Sequence, residues 1–283
     1  MRAGEGFEPE ILPPDSGYIP PQQTVRRPRP SWMSAPATYL LLGINCAVFL
    51  VMVFRGVSPM SPTPDQLLHW GANHSAAVLL GGEWWRIVTA MFVHVGIIHL
   101  ATNMWCLWNL GLLAEPLLGS WGVLAAYILT GAAGNLLSTG YNWWKFYGDW
   151  ARFHDIGVFP AGVGASGAVF GIAGALIVLL KSKLLPVPPE ELRKLRRSVI
   201  YFAGINLLIP FAVNFGADTM HAGLHIDNMA HLGGVTCGLI FAAPLVPRFG
   251  SPRRLFVRRL RISILMTVGL LVLFSFGLLQ LPG

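Results

Sequence analysis

Seven long apolar runs constrain the fold of this chain more than any other feature. They are rich in Leu, Val, Ile, Ala, Gly and Phe, and their lengths approach the roughly 20 residues that a helix needs to cross a bilayer. The runs extend from about Thr38 to Phe54, Ile97 to Leu113, Val123 to Ser138, Gly164 to Leu180, Val199 to Val213, Ile226 to Val246 and Ile262 to Leu281. Hydrophobic residues make up 54% of the 283 residues and charged residues only 12%, which does not suit a soluble surface. The sequence therefore predicts an all-α polytopic membrane protein with seven transmembrane helices.

The basic residues indicate how these helices are oriented. They form three clusters, which lie before the first run, between the fourth and fifth runs, and between the sixth and seventh. The clusters comprise Arg26, Arg27 and Arg29; Lys181, Lys183, Arg193, Lys194, Arg196 and Arg197; and Arg248, Arg253, Arg254, Arg258, Arg259 and Arg261. With seven helices these segments share one side of the membrane, and the positive-inside rule makes that side cytoplasmic. We therefore expect a cytoplasmic N-terminus and an external C-terminus, with a bacterial plasma membrane as the simplest location. Because membrane topology accounts for the net charge of +7, no nucleic-acid partner is expected.

Composition divides the chain into three parts. Residues 1–35 are rich in proline and predict a flexible cytoplasmic tail. Residues 36–247 contain six of the predicted helices, and residues 248–283 form a basic linker and the seventh. Within the core, the stretch GYNWWKFYGDWARFHDIGVFP at residues 140–160 predicts a long aromatic loop at the membrane surface.

Four polar residues lie inside the apolar runs, where each needs a partner or a function. They are His99 and Asn103 in the second predicted helix, Ser166 in the fourth and His231 in the sixth. These three helices run inward from the outer side, and all four residues fall in their first few turns. His99 and Asn103 are four residues apart and therefore share one helical face. The four side chains can meet just below the outer surface.

This set of side chains matches the chemistry of acyl transfer. A serine hydroxyl is a weak nucleophile until a base such as imidazole accepts its proton, so Ser166 and His231 fit the two roles. Asn103, His99 and the backbone N–H of Ser166 are candidate donors to an oxyanion. Small residues on the fourth and sixth helices allow the two backbones to approach closely, and they comprise Gly164, Gly167, Gly171, Gly234 and Gly238.

The motifs resemble those of the rhomboid intramembrane serine proteases. The resemblance rests on GASGAVFG around Ser166, AHLGGVTCG around His231, HVGIIHLATN ending at Asn103, and the pair WR at residues 85 and 86, all in the family's order. It implies a six-helix protease core with one added C-terminal helix, a Ser166 and His231 dyad, and membrane-protein substrates. It also implies that Phe170 packs on the catalytic imidazole. Structural roles are implied for Trp85, Arg86 and Glu115.

Several alternatives stay open at the level of sequence. Asp227 precedes His231 by four residues and either caps a helix or completes a triad. A metal site at His94, His99 and His231 is disfavoured, because a spacing of five places His94 and His99 on different helical faces. No cofactor is expected. The rival functions are an inactive relative that binds membrane proteins, against which the intact dyad argues, and a transporter, against which the shallow site argues.

Overall fold

The computed structural model describes residues 34–155, 157, 159–182, 185, 187–220, 227–248 and 252–281, with side chains excepted at 209–220 and 247–248. Within these ranges the chain forms nine α-helices and no β-strand. The helices are α1 (Pro36–Phe54), α2 (Pro64–His69), α3 (Ser75–Leu79), α4 (Arg86–Thr89), α5 (Ile97–Phe153), α6 (Ser166–Leu179), α7 (Pro189–Met220), α8 (Asn228–Ala242) and α9 (Arg253–Leu278). Short 3-10 segments follow α4 at Ala90–Phe92 and α8 at Ala243–Arg248.

Within the described residues, each predicted apolar run overlaps one of these helices. By length and composition, α1, α5, α9 and the segment Asn228–Val246 can each cross a membrane, and α6 is a shorter apolar helix. The second and third runs both lie on α5, which is two helices joined at Gly119, where φ is 71° and ψ is 165°. Only glycine adopts this conformation readily, and it ends one helix and begins the next without a loop between them. The protein is thus an all-α, multi-pass membrane protein, as the sequence predicts.

The predicted loop at residues 140–160 is wrong over most of its length. Helix α5 continues to Phe153, well past the third apolar run. Trp143 is buried and stacks on Phe159, with ring centroids 5.3 Å apart and planes 4° apart, and it also contacts the ring of Trp150. The spacing from Trp143 to Trp150 is two helical turns, so these rings share a face and stabilise the helix. The sequence interpretation took interfacial aromatic residues as a sign of a loop and overlooked their helical spacing.

Helix α6 lies at the centre of the bundle between α5 and α8. Residues on every side of it, including Ala168, Ile172, Ala175 and Leu176, are fully buried. A helix that is apolar all round is expected to be enclosed by others. The fourth predicted run is therefore the element on which the neighbouring helices pack.

Glu115 joins the start of α1 to the turn at Gly119, which agrees with its predicted structural role. Its carboxylate accepts hydrogen bonds from the N–H groups of Ala37 and Thr38 at 2.8 and 2.9 Å. It also accepts hydrogen bonds from the hydroxyls of Thr38 at 2.7 Å and Ser120 at 2.6 Å. A buried carboxylate with four donors is well satisfied, and two of those donors are N–H groups that a helix start leaves unpaired.

Helix α9 packs on the rest of the bundle through one face. That face includes the buried residues Leu260, Ser263 and Thr267, and the Ser263 hydroxyl donates to the carbonyl of Phe241 in α8. The predicted division at residues 247 and 248 stays a prediction. Residues 1–33 lie outside the described residues, so the predicted tail is likewise untested.

Candidate active site

Ser166 and His231 lie at the starts of two adjacent helices. Ser166 is the first residue of α6, and His231 lies in the first turn of α8. The Ser166 Oγ and the His231 Nε2 are 2.9 Å apart, which is hydrogen-bond distance. The two residues that the sequence predicts as a dyad are therefore in direct contact, although they are 65 residues apart in the chain.

Glycines at the crossing of α6 and α8 make this contact possible. A Cβ added to Gly234 would lie 2.0 Å from the carbonyl oxygen of Gly167, and one added to Gly238 would lie 2.0 Å from that of Gly171. No side chain fits in such a gap, so the backbones touch along two successive turns. At Gly234 and Gly238 these distances agree with the predicted close approach of the two helices, while Gly164 lies instead beside His99.

Phe170 covers one face of the His231 ring. The two rings are stacked, with centroids 4.4 Å apart and planes 19° apart. Phe170 follows Ser166 by one turn of α6, so the same helix that carries the hydroxyl also holds the imidazole in orientation. The predicted contact is observed.

His99 and Asn103 lie beside the segment that leads into Ser166. Gly164 has a φ of +113°, and a Cβ there would lie 2.6 Å from the His99 Cε1 and 3.6 Å from the Asn103 Nδ2. The Asn103 amide donates to the carbonyl of His99 at 3.0 Å. Any side chain at position 164 would fill the space that His99 and Asn103 face. The structure thus brings together all four of the predicted polar residues.

His94 also belongs to this cluster, which the sequence interpretation missed. Its Nε2 accepts the N–H of Ala165 at 3.4 Å, and its Nδ1 lies 3.3 Å from the carbonyl of Phe92. Its ring lies 5.3 Å from that of His99, so the prediction of different helical faces is wrong. The error arose because α5 begins only at Ile97, after Gly96 with a φ of +90°, and His94 is not helical. That glycine was the available signal of a helix start.

Burial keeps His94 neutral. It lies outside α5 and is fully buried, and burial together with the neighbouring His99 lowers its pKa to about 3, partly offset by the Phe92 carbonyl. A neutral ring with its proton on Nδ1 satisfies both contacts, since Nδ1 then donates and Nε2 accepts. His94 therefore positions the backbone immediately before Ser166.

Asp227 caps α8 and does not extend the dyad to a triad. Its carboxylate accepts the N–H of Ala230 at 2.9 Å and the hydroxyl of Ser138 at 2.5 Å. Among the described residues, the Nδ1 of His231 has no hydrogen-bond partner. The triad alternative is thus not observed, because a cap points its carboxylate at the free N–H groups of the first turn.

Trp85 and Arg86 organise the segment before α5. Arg86 donates to the carbonyls of Leu68 at 2.6 Å and Ala72 at 3.1 Å, and it forms an ion pair with Glu83 at 2.5 Å. The guanidinium also lies 4.5 Å from the centre of the Trp85 ring. These contacts join the start of α4 to the end of α2 and the turn after it, and they fit the structural role predicted for the pair. In the described part of the chain, no group of three or more His, Cys, Asp or Glu side chains is arranged to hold a metal ion.

The sequence is similar to known rhomboid proteases over most of its length. A model of the Rhomboid domain matches residues 81–248. The rhomboid protease GluP of Bacillus subtilis is 30% identical over 247 residues, which cover 87% of this chain and 41% of GluP. The rhomboid protease AarA of Providencia stuartii is 30% identical over 235 residues, covering 81% of this chain and 78% of AarA. Rhomboid-like protease 2 of Toxoplasma gondii is 29% identical over 203 residues, covering 71% of this chain and 61% of that protein. The chain thus spans less than half of the length of GluP and most of the length of AarA.

The matched region contains the whole cluster of polar residues at the helix starts. It begins before Trp85 and ends after Gly238, and it covers more than half of the 283 residues. The order of the motifs, the contact between Ser166 and His231, and the match to the domain all agree. This chain belongs to the rhomboid family of multi-pass membrane proteins.

Proposed function

We propose that this protein is an intramembrane serine endopeptidase that cleaves transmembrane or juxtamembrane segments of other membrane proteins. The observation that carries the proposal is the 2.9 Å contact between the Ser166 Oγ and the His231 Nε2. A hydroxyl in hydrogen-bond contact with an imidazole is the arrangement that activates a serine nucleophile. Relatives that are themselves named rhomboid proteases support the same reading.

The reaction follows from the roles of the dyad. The Ser166 Oγ attacks the carbonyl carbon of the scissile peptide bond while the His231 Nε2 accepts the hydroxyl proton. His231 then gives that proton to the departing amine, which leaves an acyl ester on Ser166. Water, losing its proton to His231, attacks the ester and releases the new carboxyl end together with the free hydroxyl. Phe170, stacked on the imidazole, keeps the ring aimed at Ser166 through both steps.

His99, Asn103 and the backbone N–H of Ser166 stabilise the oxyanion of each tetrahedral intermediate. The N–H at the first position of α6 has no acceptor within its own helix, and the positive end of the helix dipole lies there. Asn103 and His99 reach the space that Gly164 leaves open. Preorganised donors in a site of low polarity give large rate effects, because they need no rearrangement as charge develops.

The shallow position of the dyad suits substrates that leave their helical state. A stable transmembrane helix keeps its carbonyls in hydrogen bonds, so cleavage favours segments with residues that weaken the helix. The three basic clusters support a cytoplasmic N-terminus. With that orientation the site lies near the outer surface of the membrane, which we take to be a bacterial plasma membrane. Water then reaches Ser166 from the outer side.

The proposal is tested with the purified full chain and a generic transmembrane substrate in detergent. We expect the wild type to cut, and S166A and H231A to show no cleavage while keeping the melting temperature of the wild type. Cleavage that survives either substitution would exclude the dyad. If the wild type binds the substrate but neither cuts it nor reacts with a serine-directed phosphonate, the protein is a membrane-protein binding factor instead.

A further inference from the structure

The start of α9 carries a groove that the proposed protease chemistry does not use. The groove is open, has a volume of about 660 Å³, and is lined on its polar part by Arg253, Arg254, Arg258 and Arg261. The i and i+4 rows of the helix form its two walls, since Arg253 and Arg261 belong to one row and Arg254 and Arg258 to the next. The four guanidinium groups therefore surround one elongated space, about 12 Å long by the helical rise.

The groove becomes apolar toward the middle of the helix. Ile262 and Leu265 continue the same two rows and are 50% and 71% exposed, while Val257 lies between Arg253 and Arg261. The occupant must therefore be anionic at one end and apolar at the other. A soluble anion would have no use for the apolar half.

The four arginines lack compensating charge within the described residues. Ion pairs there involve Arg86 and Arg193, and α9 contains no Asp or Glu along its whole length. All four side chains belong to exposed residues. The neighbouring Arg259 behaves differently, because it donates to the carbonyl of Pro244 at 2.9 Å and so helps to fix α9 to the core. The groove arginines are thus not needed to hold the helix in place.

The groove lies at the end of the bundle opposite the dyad. Helix α8 begins near His231 and ends near Phe241, whose carbonyl accepts the hydroxyl of Ser263 in α9. Residues before Ser263 therefore lie beyond the inner end of α8, on the side where the basic clusters place the cytoplasm. The buried face of α9 points to the core, and the groove face is left toward lipid and the headgroup region.

We propose that this groove is a binding site for an anionic phospholipid of the cytoplasmic leaflet. The headgroup phosphate pairs with Arg258 and Arg261, which lie next to the apolar part, and Arg253 and Arg254 reach further headgroup oxygens. The acyl chains extend along Ile262 and Leu265 into the hydrocarbon. Arginine suits this role because its planar guanidinium gives bidentate hydrogen bonds to phosphate. The bound lipid joins α9 to the leaflet and stabilises its packing on the core.

The test uses the full-length S166A variant in neutral detergent, stripped of lipid, and measures binding of fluorescently labelled phosphatidylglycerol by anisotropy. An arginine beside an anionic surface contributes about 1 kcal/mol, or about fivefold in affinity, so R258Q/R261Q should bind about 25-fold more weakly. R253Q/R254Q gives an independent measurement on the other half of the groove and should also weaken binding. The matched control is K194Q/R197Q, which removes the same charge from exposed positions on α7 and should bind like the parent.

Competition separates the possible sources of the phosphate. Unlabelled phosphatidylglycerol should displace the probe, while phosphatidylcholine and inorganic phosphate at equal concentration should not. Equal binding by the parent and both groove variants would overturn the proposal. So would an equal loss in K194Q/R197Q, which would indicate attraction to net charge alone, or displacement by inorganic phosphate, which would indicate a site for a soluble anion. Binding is measured without proteolysis, so a failure here is distinct from a failure of the proposed protease function.

Discussion

Replacing Gly234 with alanine should separate the two residues of the dyad. The new Cβ would lie 2.0 Å from the carbonyl oxygen of Gly167, and the shortfall from an ordinary contact of 3.4 Å is 1.4 Å. The clash is between the new Cβ and the backbone of Gly167, so no side chain can rotate away, and α8 must move from α6. Gly234 lies one turn after His231, so most of this displacement reaches the imidazole, whose contact with Ser166 is 2.9 Å. A misplacement of about 1 Å at a reacting group costs on the order of 100-fold in rate.

The assay compares G234A with G269A. Position 269 is also helical, in α9, but nothing lies within 4 Å of a Cβ there. Both variants gain the same helix propensity, about 0.5–1 kcal/mol for glycine to alanine, so that effect cancels in the comparison. We expect cleavage by G234A to fall by about 100-fold or more, and its unfolding free energy to fall by about 1–3 kcal/mol through overpacking. G269A should keep the activity of the wild type.

Two results would refute this reasoning. Cleavage by G234A within a few-fold of the wild-type rate would mean that the helices are not in backbone contact at this level. An equal loss of activity in G269A would mean that alanine acts through a general effect on the helices. A G234A protein that is still fully folded at the assay temperature but reacts slowly with a serine-directed phosphonate would support the displacement of the dyad most directly.

Three further changes test individual parts of the site. N103A should lower the cleavage rate by about 100- to 1,000-fold with the melting temperature unchanged, as expected for an oxyanion donor. D227A should lose about 1 kcal/mol of stability as a helix cap but keep most of its activity, and D227N should restore the stability. The wild type should lose stability as the pH falls from about 6.5 toward 3, because burial keeps His94 neutral in the folded state while the unfolded chain takes up a proton there; H94Q should lose less over that range.

Each of these predictions has a result that contradicts it. A normal rate in N103A would remove the amide from the oxyanion site. A D227A variant that is stable but inactive would indicate that Asp227 acts with His231 as the third member of a triad. The pKa of His94 is lower in the folded protein than in the unfolded chain. The protein therefore keeps its full stability above the pKa of the unfolded chain, and it loses stability as the pH falls below that value. A wild-type melting temperature that is flat from pH 7 to about pH 4, measured in the same detergent, would contradict the account of a neutral His94.

The fold could be predicted from the sequence because a bilayer leaves few choices. An apolar run in lipid must be a helix, and the basic clusters then predict which helices start on which side. That topology alone brings Ser166, His231, His99 and Asn103 to one level. The close contact of α6 and α8 was also predictable, because Gly167, Gly171, Gly234 and Gly238 recur at helical spacing next to the reactive residues.

The parts that were predicted wrongly or left open depend on where helices begin and end. The extension of α5 to Phe153 rests on aromatic stacking against Phe159, a contact that only the folded chain reveals. His94 joins the site because Gly96 ends the loop with a positive φ, so helical spacing did not apply to it. For Asp227, sequence position allows either a cap or a triad, and the choice depends on the side-chain direction, which the contact with Ser138 settles.

The central claim is that Ser166 is a nucleophile activated by His231. The most direct measurement is reaction of the purified full chain with a serine-directed fluorophosphonate, followed by peptide mapping with mass spectrometry. We predict one adduct, on the peptide that contains Ser166, and no adduct at that position in H231A under the same conditions. An adduct on a different serine, or labelling of Ser166 at the same rate without His231, would contradict the account.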